Sequence, residues 1–501
     1  MADEHVDVLI VGAGLSGIGA AWHLQHESPG RTFAILEGRE AIGGTWDLFR
    51  YPGIRSDSDM YTLGYSFRPW REAKAIADGP SILKYVRDTA AEADIDRHIR
   101  FGHKVAAAAW STEDACWRVE ARRSDGTIAR LTCSFLFLCG GYYSYDGGYT
   151  PEFPGAERFK GTLVHPQQWP EDLDYAGKRV VVVGSGATAV TLVPEMARTA
   201  GHVTMLQRSP TYVVSRPAED ALANRLRKWL PAMLAYGLIR WRNVLFGMWF
   251  FRLARNKPEA VKKNIIDMVR AQLGPDYDVE THFTPRYNPW DQRLCLVPDA
   301  DLFEAIKAGR ASVVTDHIES FTETGLKLTS GRTLDADIVV TATGLVLQVM
   351  NGIVLTVDGR QVDPGQTLSY KGMMYEGVPN LASAFGYTNA SWTLKCDLTC
   401  EYVGRLLNHM QATGLRQATP RNTDPAMERL PWLDFSSGYV QRAMAKFPKQ
   451  GSKAPWKLHQ NYALDLMSLR YAKLEDGALE FSNPAPTQTG VKPRARERMA
   501  A

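Results

Sequence analysis

The chain has 501 residues, 45% of them hydrophobic and 23% charged, with 58 Lys and Arg against 55 Asp and Glu for a net charge of +3. That size allows about two to four domains with their own cores, and the near balance of charge argues against a dedicated nucleic-acid binder. Six cysteines are too few for a disulfide scaffold, MADEHVDVLIVGAG lacks a basic leader with a cleavage site, and no apolar run reaches the roughly 20 residues of a membrane span. The composition predicts a cytoplasmic enzyme.

The first predicted strand, Val6 to Val11, is an apolar run of the kind buried in parallel sheets. Gly12-Ala13-Gly14-Leu15-Ser16-Gly17 then turns it into a helix. Gly12 permits the tight turn, Gly14 lets a pyrophosphate approach the backbone, and Gly17 lets helix and strand press together. The phosphates meet the free N–H groups at the positive end of the helix. A second strand, Thr32 to Leu36, ends in Glu37, an acid placed to accept hydrogen bonds from ribose hydroxyls. The loop that follows reads Gly43-Gly44-Thr45-Trp46-Asp47-Leu48. No cysteine precedes Cys116, which excludes a disulfide reductase with a redox pair beside the flavin.

The pattern recurs downstream. Lys178 to Val183 is a second apolar run, and Gly184-Ser185-Gly186-Ala187-Thr188-Ala189 opens a second helix. The next strand, His202 to Leu206, ends in Gln207-Arg208-Ser209. A guanidinium and a hydroxyl at that position suit a 2′-phosphate, which a carboxylate would repel. The first site therefore suits FAD or NAD and the second NADP, a pairing in which a nicotinamide reduces a flavin. The predicted fold class is α/β, with two nested Rossmann-like dinucleotide-binding domains and a helical insertion.

From Arg225 to Lys263 the chain holds ten basic residues against one acid, together with Trp229, Trp241 and Trp249. It reads as an amphipathic helical insert, about 220–275, interrupted at Pro231, Gly237 and Gly247. Two readings stand: a wall of the substrate entrance, or a patch resting on an anionic membrane. Asp335 to Gly344 reads as a strand returning to the first domain beside the flavin. These features predict an FAD domain of residues 1–150 and 330–480, an NADP domain of 155–330, and a disordered tail from 483 to 501. Cys396 and Cys400 share one helix face, as two buried small residues, a redox pair or half of a metal site. No metal is expected.

Two motifs carry a family resemblance. Phe159, Gly161, His165, Trp169 and Pro170 match FxGxxxHxxxW, and Gly43, Gly44, Trp46, Tyr51, Pro52, Gly53 and Asp57 match GGxWxxxxYPGxxxD. The chain resembles the class B flavoprotein Baeyer–Villiger monooxygenases over about residues 5–470. In detail it is most similar to the mycobacterial subgroup that activates thioamide prodrugs. The resemblance implies FAD and NADPH as cofactors, O₂ as co-substrate, and a lipophilic ketone, sulfide or thioamide as substrate. Oxygen activated at flavin C4a would convert a ketone to an ester or lactone. The alternatives are a sulfide or amine monooxygenase without ketone activity, and an NADPH oxidase or redox sensor.

The resemblance also implies residue roles. Arg293, after Tyr287 and Pro289, would be the active-site cation, and Asp57 would orient it. Gly44, Thr45, Trp46, Asp47, Leu48, Arg55, Ser56, Asp57 and Val105 would join Gly12, Gly14, Ser16, Gly17 and Glu37 around the flavin nucleotide. Gly161, His165 and Trp169 would lie on the linker, with His165 coupling NADP binding to domain rotation rather than acting as a base. Gln292 replaces a lysine frequent in the family, so selection of NADPH rests on Arg208 and Ser209.

Overall fold

A computed structural model of the chain describes residues 4–292, 294–433 and 435–484. The large sheet carries, in order, the strands Val354–Val357, His103–Ser111, Cys116–Arg123, Ile128–Leu138, Glu4–Val11, Phe33–Leu36 and Ile99–Arg100. Its center is parallel: Glu4–Val11 lies between Phe33–Leu36 and Ile128–Leu138. Val8 and Ile10 face one core, Leu9 and Val11 the other. Burial on both faces is why this run is apolar throughout instead of alternating.

The second sheet is wholly parallel, in the order Ala311–Thr315, His202–Gln207, Arg179–Val183, Ile338–Thr341 and Thr162–Val164. Again Val180 and Val182 face one core while Val181 and Val183 face another. The strand expected to return to the first domain is therefore placed differently: Ile338–Thr341 stays in the second sheet, its buried IVVT run filling the gap beside Arg179–Val183. The chain crosses back only afterwards. Leu345–Leu347 pairs antiparallel with Tyr143–Gly148, so the outgoing and returning connections form one two-stranded ribbon.

The insert is helical, as Ala221–Leu226, Ala232–Asn256 and Pro258–Leu273. Pro231 stands at the start of the long helix, but Gly237 and Gly247 do not interrupt it. A helical glycine costs about 1 kcal/mol, which packing of the buried side through Tyr236, Ile239 and Val244 offsets. Cys396 and Cys400 lie on the helix Trp392–Thr413 as buried free thiols, with Cys396 Sγ 3.4 Å from Ser16 Oγ. They pack the interior against the first glycine-turn helix. Of the predicted tail, residues 485–501 lie outside the described residues.

Candidate active site

The first glycine turn opens on a cavity of about 590 Å³. Gly12, Gly14, Ser16, Glu37, Gly44, Thr45, Trp46, Leu48, Arg55, Ser56, Asp57 and Val105 all line it, as expected from the sequence. Gly17 does not, because it is pressed against the strand: a side-chain carbon there would fall 1.8 Å from Gly12 O. The helix begins at Gly14 with no side chain capping it, which leaves its first-turn N–H groups for a ligand. Glu37 is buried and already accepts hydrogen bonds from Ala13 N (2.7 Å) and Arg39 N (2.9 Å). Burial pushes its pKa up, against those backbone donors. Its carboxylate oxygens keep lone pairs for ribose hydroxyls.

Asp47 is placed differently from its neighbors. Its carboxylate is turned away from the cavity and gathers Arg39 (2.7 Å), Arg87 (3.0 Å) and Arg50 (3.5 Å). It braces the short helix Thr45–Leu48 that carries Thr45 and Trp46 to the cavity wall. Several lining groups were not anticipated. Tyr142 enters from the turn after Ile128–Leu138, Tyr143 and Tyr145 from the strand Tyr143–Gly148, Phe385 and Tyr387 from the segment before the helix Trp392–Thr413, and Trp392 from the first position of that helix. The signal was present in the stretches GGYYSY and FGYTNASW, where aromatics follow glycine at the end of a strand.

A second, more apolar cavity of about 1220 Å³ adjoins the first. Val244, Leu245, Phe246, Met248 and Trp249 of the long insert helix wall it, with Ile265, Trp290 and Leu294 opposite. The two cavities share Asp57, Ser58, Leu296, Tyr387, Thr388 and Ala390. Tyr387 is held from behind: its hydroxyl donates to Asp465 Oδ2 at 2.7 Å, and Lys395 Nζ donates to the same oxygen at 2.9 Å. All three side chains are buried. Arg293 lies outside the described residues; its neighbors Trp290 and Leu294 line this second cavity.

The second glycine turn faces outward. Gly186 and Ala187 are exposed, Gly184, Ser185 and Thr188 half-buried, and Ala189 buried in the helix Ala187–Met196, which starts uncapped. Arg208 and Ser209 are exposed beside it, and Ser185 Oγ donates to Ser209 O at 3.2 Å. Arg55 pairs with Asp301, joining the first unit's cavity loop to the second unit.

His165 sits on the ribbon between the units. Its Nδ1 accepts from Gln167 N (3.1 Å), and its Nε2 lies 3.3 Å from Gly344 O on the returning connection. A side-chain carbon on Gly148 of the outgoing connection would fall 1.8 Å from the ring. Burial lowers the His165 pKa. Gly161 precedes the strand Thr162–Val164, and Trp169 packs half-buried against the second sheet's core.

Two glycine turns at uncapped helix starts, a buried acid just after the second strand and an apolar chamber meeting the first cavity are the features of a dinucleotide-dependent oxidoreductase. The chain belongs to the flavin-binding monooxygenase-like family, which matches residues 75–351; an NAD(P)-binding Rossmann-like domain matches residues 10–77. It is 56% identical over 485 residues to the FAD-containing monooxygenase EthA of Mycobacterium tuberculosis, covering 96% of this chain and 99% of that one. It is 50% identical over 489 residues to the putative FAD-containing monooxygenase MymA of the same species, covering 96% and 99%. Among solved structures, an oxidized steroid monooxygenase bound to NADP matches with a TM-score of 0.76 at 23% identity, covering 96% of this chain and 100% of that one. A cyclohexanone monooxygenase matches with a TM-score of 0.73 at 23% identity and the same coverage. These two likenesses show the shared fold.

Proposed function

We propose that the chain is an FAD- and NADPH-dependent Baeyer–Villiger monooxygenase that also oxidizes sulfides or thioamides. One observation carries the reading: the nucleotide cavity meets a large apolar chamber at Asp57 and Tyr387. In the net reaction a ketone, O₂, NADPH and a proton give an ester or lactone, NADP⁺ and water. Bound FAD, once reduced by NADPH, supplies the electron pair and activates the oxygen.

The residues present fit that cofactor. The uncapped helix at Gly14 takes its pyrophosphate, and Glu37 takes its ribose. Residues 1–150 with the chain returning after Gly344 form the FAD unit, and the part between forms the NADP unit. Arg208 and Ser209 hold the NADPH 2′-phosphate, with Gly184, Ser185 and Gly186 at its pyrophosphate. Arg293 provides a fixed positive charge where negative charge gathers on oxygen, and Asp57 orients it. The insert walls the chamber against water, which strengthens that electrostatic effect.

Product analysis tests the proposal. The FAD-loaded protein is incubated with NADPH, ¹⁸O₂ and either a simple ketone or a thioether. Ester carrying one labeled oxygen is expected from the ketone. Labeled sulfoxide without ester would replace this reading with that of a sulfide or amine monooxygenase, and NADPH loss without either product would replace it with an oxidase.

A further inference from the structure

The long insert helix Ala232–Asn256 is apolar on two sides. Its inner side buries Tyr236, Ile239 and Val244. Its outer side exposes Leu234, Leu238, Trp241, Leu245 and Trp249, at successive spacings of three and four residues that place them in one stripe. At 1.5 Å per residue the stripe runs for about 22 Å. It is wet along its length, with Leu245 56% and Trp249 57% exposed. Trp229, 82% exposed, stands just before the helix. Trp241 meets the ring of Tyr462 at 5.6 Å, and the segment begun by Tyr462 exposes Leu464, Met467 and Tyr471. A contiguous apolar surface of this kind marks an interaction site.

Its ends are cationic. Arg225 and Lys228 precede the stripe, Arg252 and Lys257 follow it, and all four are exposed without an ion-pair partner among the described residues. We propose that this stripe docks the protein on an anionic lipid surface, with the helix lying in the plane of the interface. No described helix is long and apolar enough to cross a membrane, so the contact is one of lying on the bilayer. Charge decides against two other covers. A second copy meeting this face across a twofold axis would set the same cations against one another. Residues 485–501, with four basic side chains and one acid, have the same sign as the patch.

The stripe also borders the chamber: Leu245, Phe246, Trp249 and Arg252 line the second cavity. A docked helix therefore brings the chamber wall to the lipid, and a substrate dissolved in the bilayer could enter it directly. That last consequence rests on the proposed oxygenase function; the docking does not.

Vesicle sedimentation of the full FAD-loaded chain tests it, without substrate, at low and high salt. The vesicles are phosphatidylcholine alone or phosphatidylcholine with phosphatidylglycerol. The wild type is expected to pellet with the anionic vesicles at low salt and little with the neutral ones. Leu234→Glu/Leu238→Glu, at positions that line neither cavity, should lower partitioning by about tenfold or more with the flavin spectrum unchanged. Arg225→Glu/Lys228→Glu should weaken binding to anionic vesicles while leaving any neutral binding alone. Absence of pelleting would overturn the proposal, as would equal pelleting of the Leu234→Glu/Leu238→Glu variant. A dimer seen by light scattering and dissociated by that variant would overturn it in favor of a second copy. Because no turnover is read, failure here is distinct from failure of the oxygenase reading.

Discussion

Arg240 of the long insert helix reaches Asp397 at 3.3 Å, both side chains buried and 157 residues apart in the chain. The same guanidinium donates to the carbonyls of Tyr61 (2.9 Å) and Gly64 (2.7 Å). One arginine thus clamps the insert to the unit that carries the first cavity. Removing one member of a buried pair costs about 3–5 kcal/mol when the other charge is left unpaired, and less here because Asp397 keeps His23 and the Ser66 N–H. Arg240→Ala should lower the unfolding free energy by at most about that range, read from urea midpoints. The double variant Arg240→Met/Asp397→Asn should recover part of the loss, since the one buried charge it leaves at this site, His23, keeps Glu27 as its partner.

Asp397 also faces His23, whose Nε2 lies 3.7 Å away, an ion-pair separation, while Glu27 accepts from Nδ1 at 2.7 Å. Burial works against the charged ring, but the acceptors Asp397 and Glu27 prevail and push its pKa up to about 9. A raised histidine pKa stabilizes the fold fully below the ordinary value of 6.5 and is lost as pH rises through about 9. That shift corresponds to about 3 kcal/mol at most. Urea midpoints of the wild type should therefore fall between pH 6.5 and 9, and His23→Gln should flatten the decline.

The imidazole of His165 fills the space over Gly148. Gly148→Ala should force the ring aside and cost about 1–3 kcal/mol of stability, measured by thermal unfolding. Adding His165→Ala makes room for the new methyl and should restore much of the loss.

Glu37→Gln keeps the size of the side chain but turns an amide group toward backbone N–H donors. Hydrogen bonds to a charged acceptor contribute about 1.5–3 kcal/mol, so FAD should bind about ten- to a hundredfold more weakly. Flavin release on dilution, followed by fluorescence, measures it.

Arg208→Ala should raise the KM for NADPH by about tenfold or more, from loss of a charge-assisted contact to the 2′-phosphate. The KM for NADH, which lacks that phosphate, should stay near the wild-type value. Equal losses with both would assign Arg208 a structural part only.

Both glycine turns and the strands leading into them were legible in the sequence, because their signals are local: an apolar run, then glycines at fixed spacing. The sheet to which Ile338–Thr341 belongs was not. A fully apolar run announces burial, but its partner Arg179–Val183 is chosen by packing far away in sequence. Tyr142, Tyr143, Tyr145 and Tyr387 escaped for a different reason, since Tyr142 and Tyr387 stand in irregular segments and Tyr143 and Tyr145 in a short glycine-ended strand without an apolar pattern. The break expected at Gly237 and Gly247 failed because tertiary packing outweighed helix propensity. Asp47, a variable position between Trp46 and Tyr51 of the motif, was expected beside the flavin, yet three arginines claim its carboxylate.

The ribbon of Tyr143–Gly148 and Leu345–Leu347 has a mechanical consequence. Tyr149 N donates to Gly344 O at 2.9 Å and Thr343 Oγ1 donates to Tyr149 O at 2.6 Å, so the two crossings are tied to each other as well as to His165. Two separate tethers would let the units slide past one another. Zipped together they behave as a single torsion bar, stiff to shear and compliant only to twist. A rearrangement of one unit against the other is then expected to turn about this bar, to which the His165 imidazole is bound.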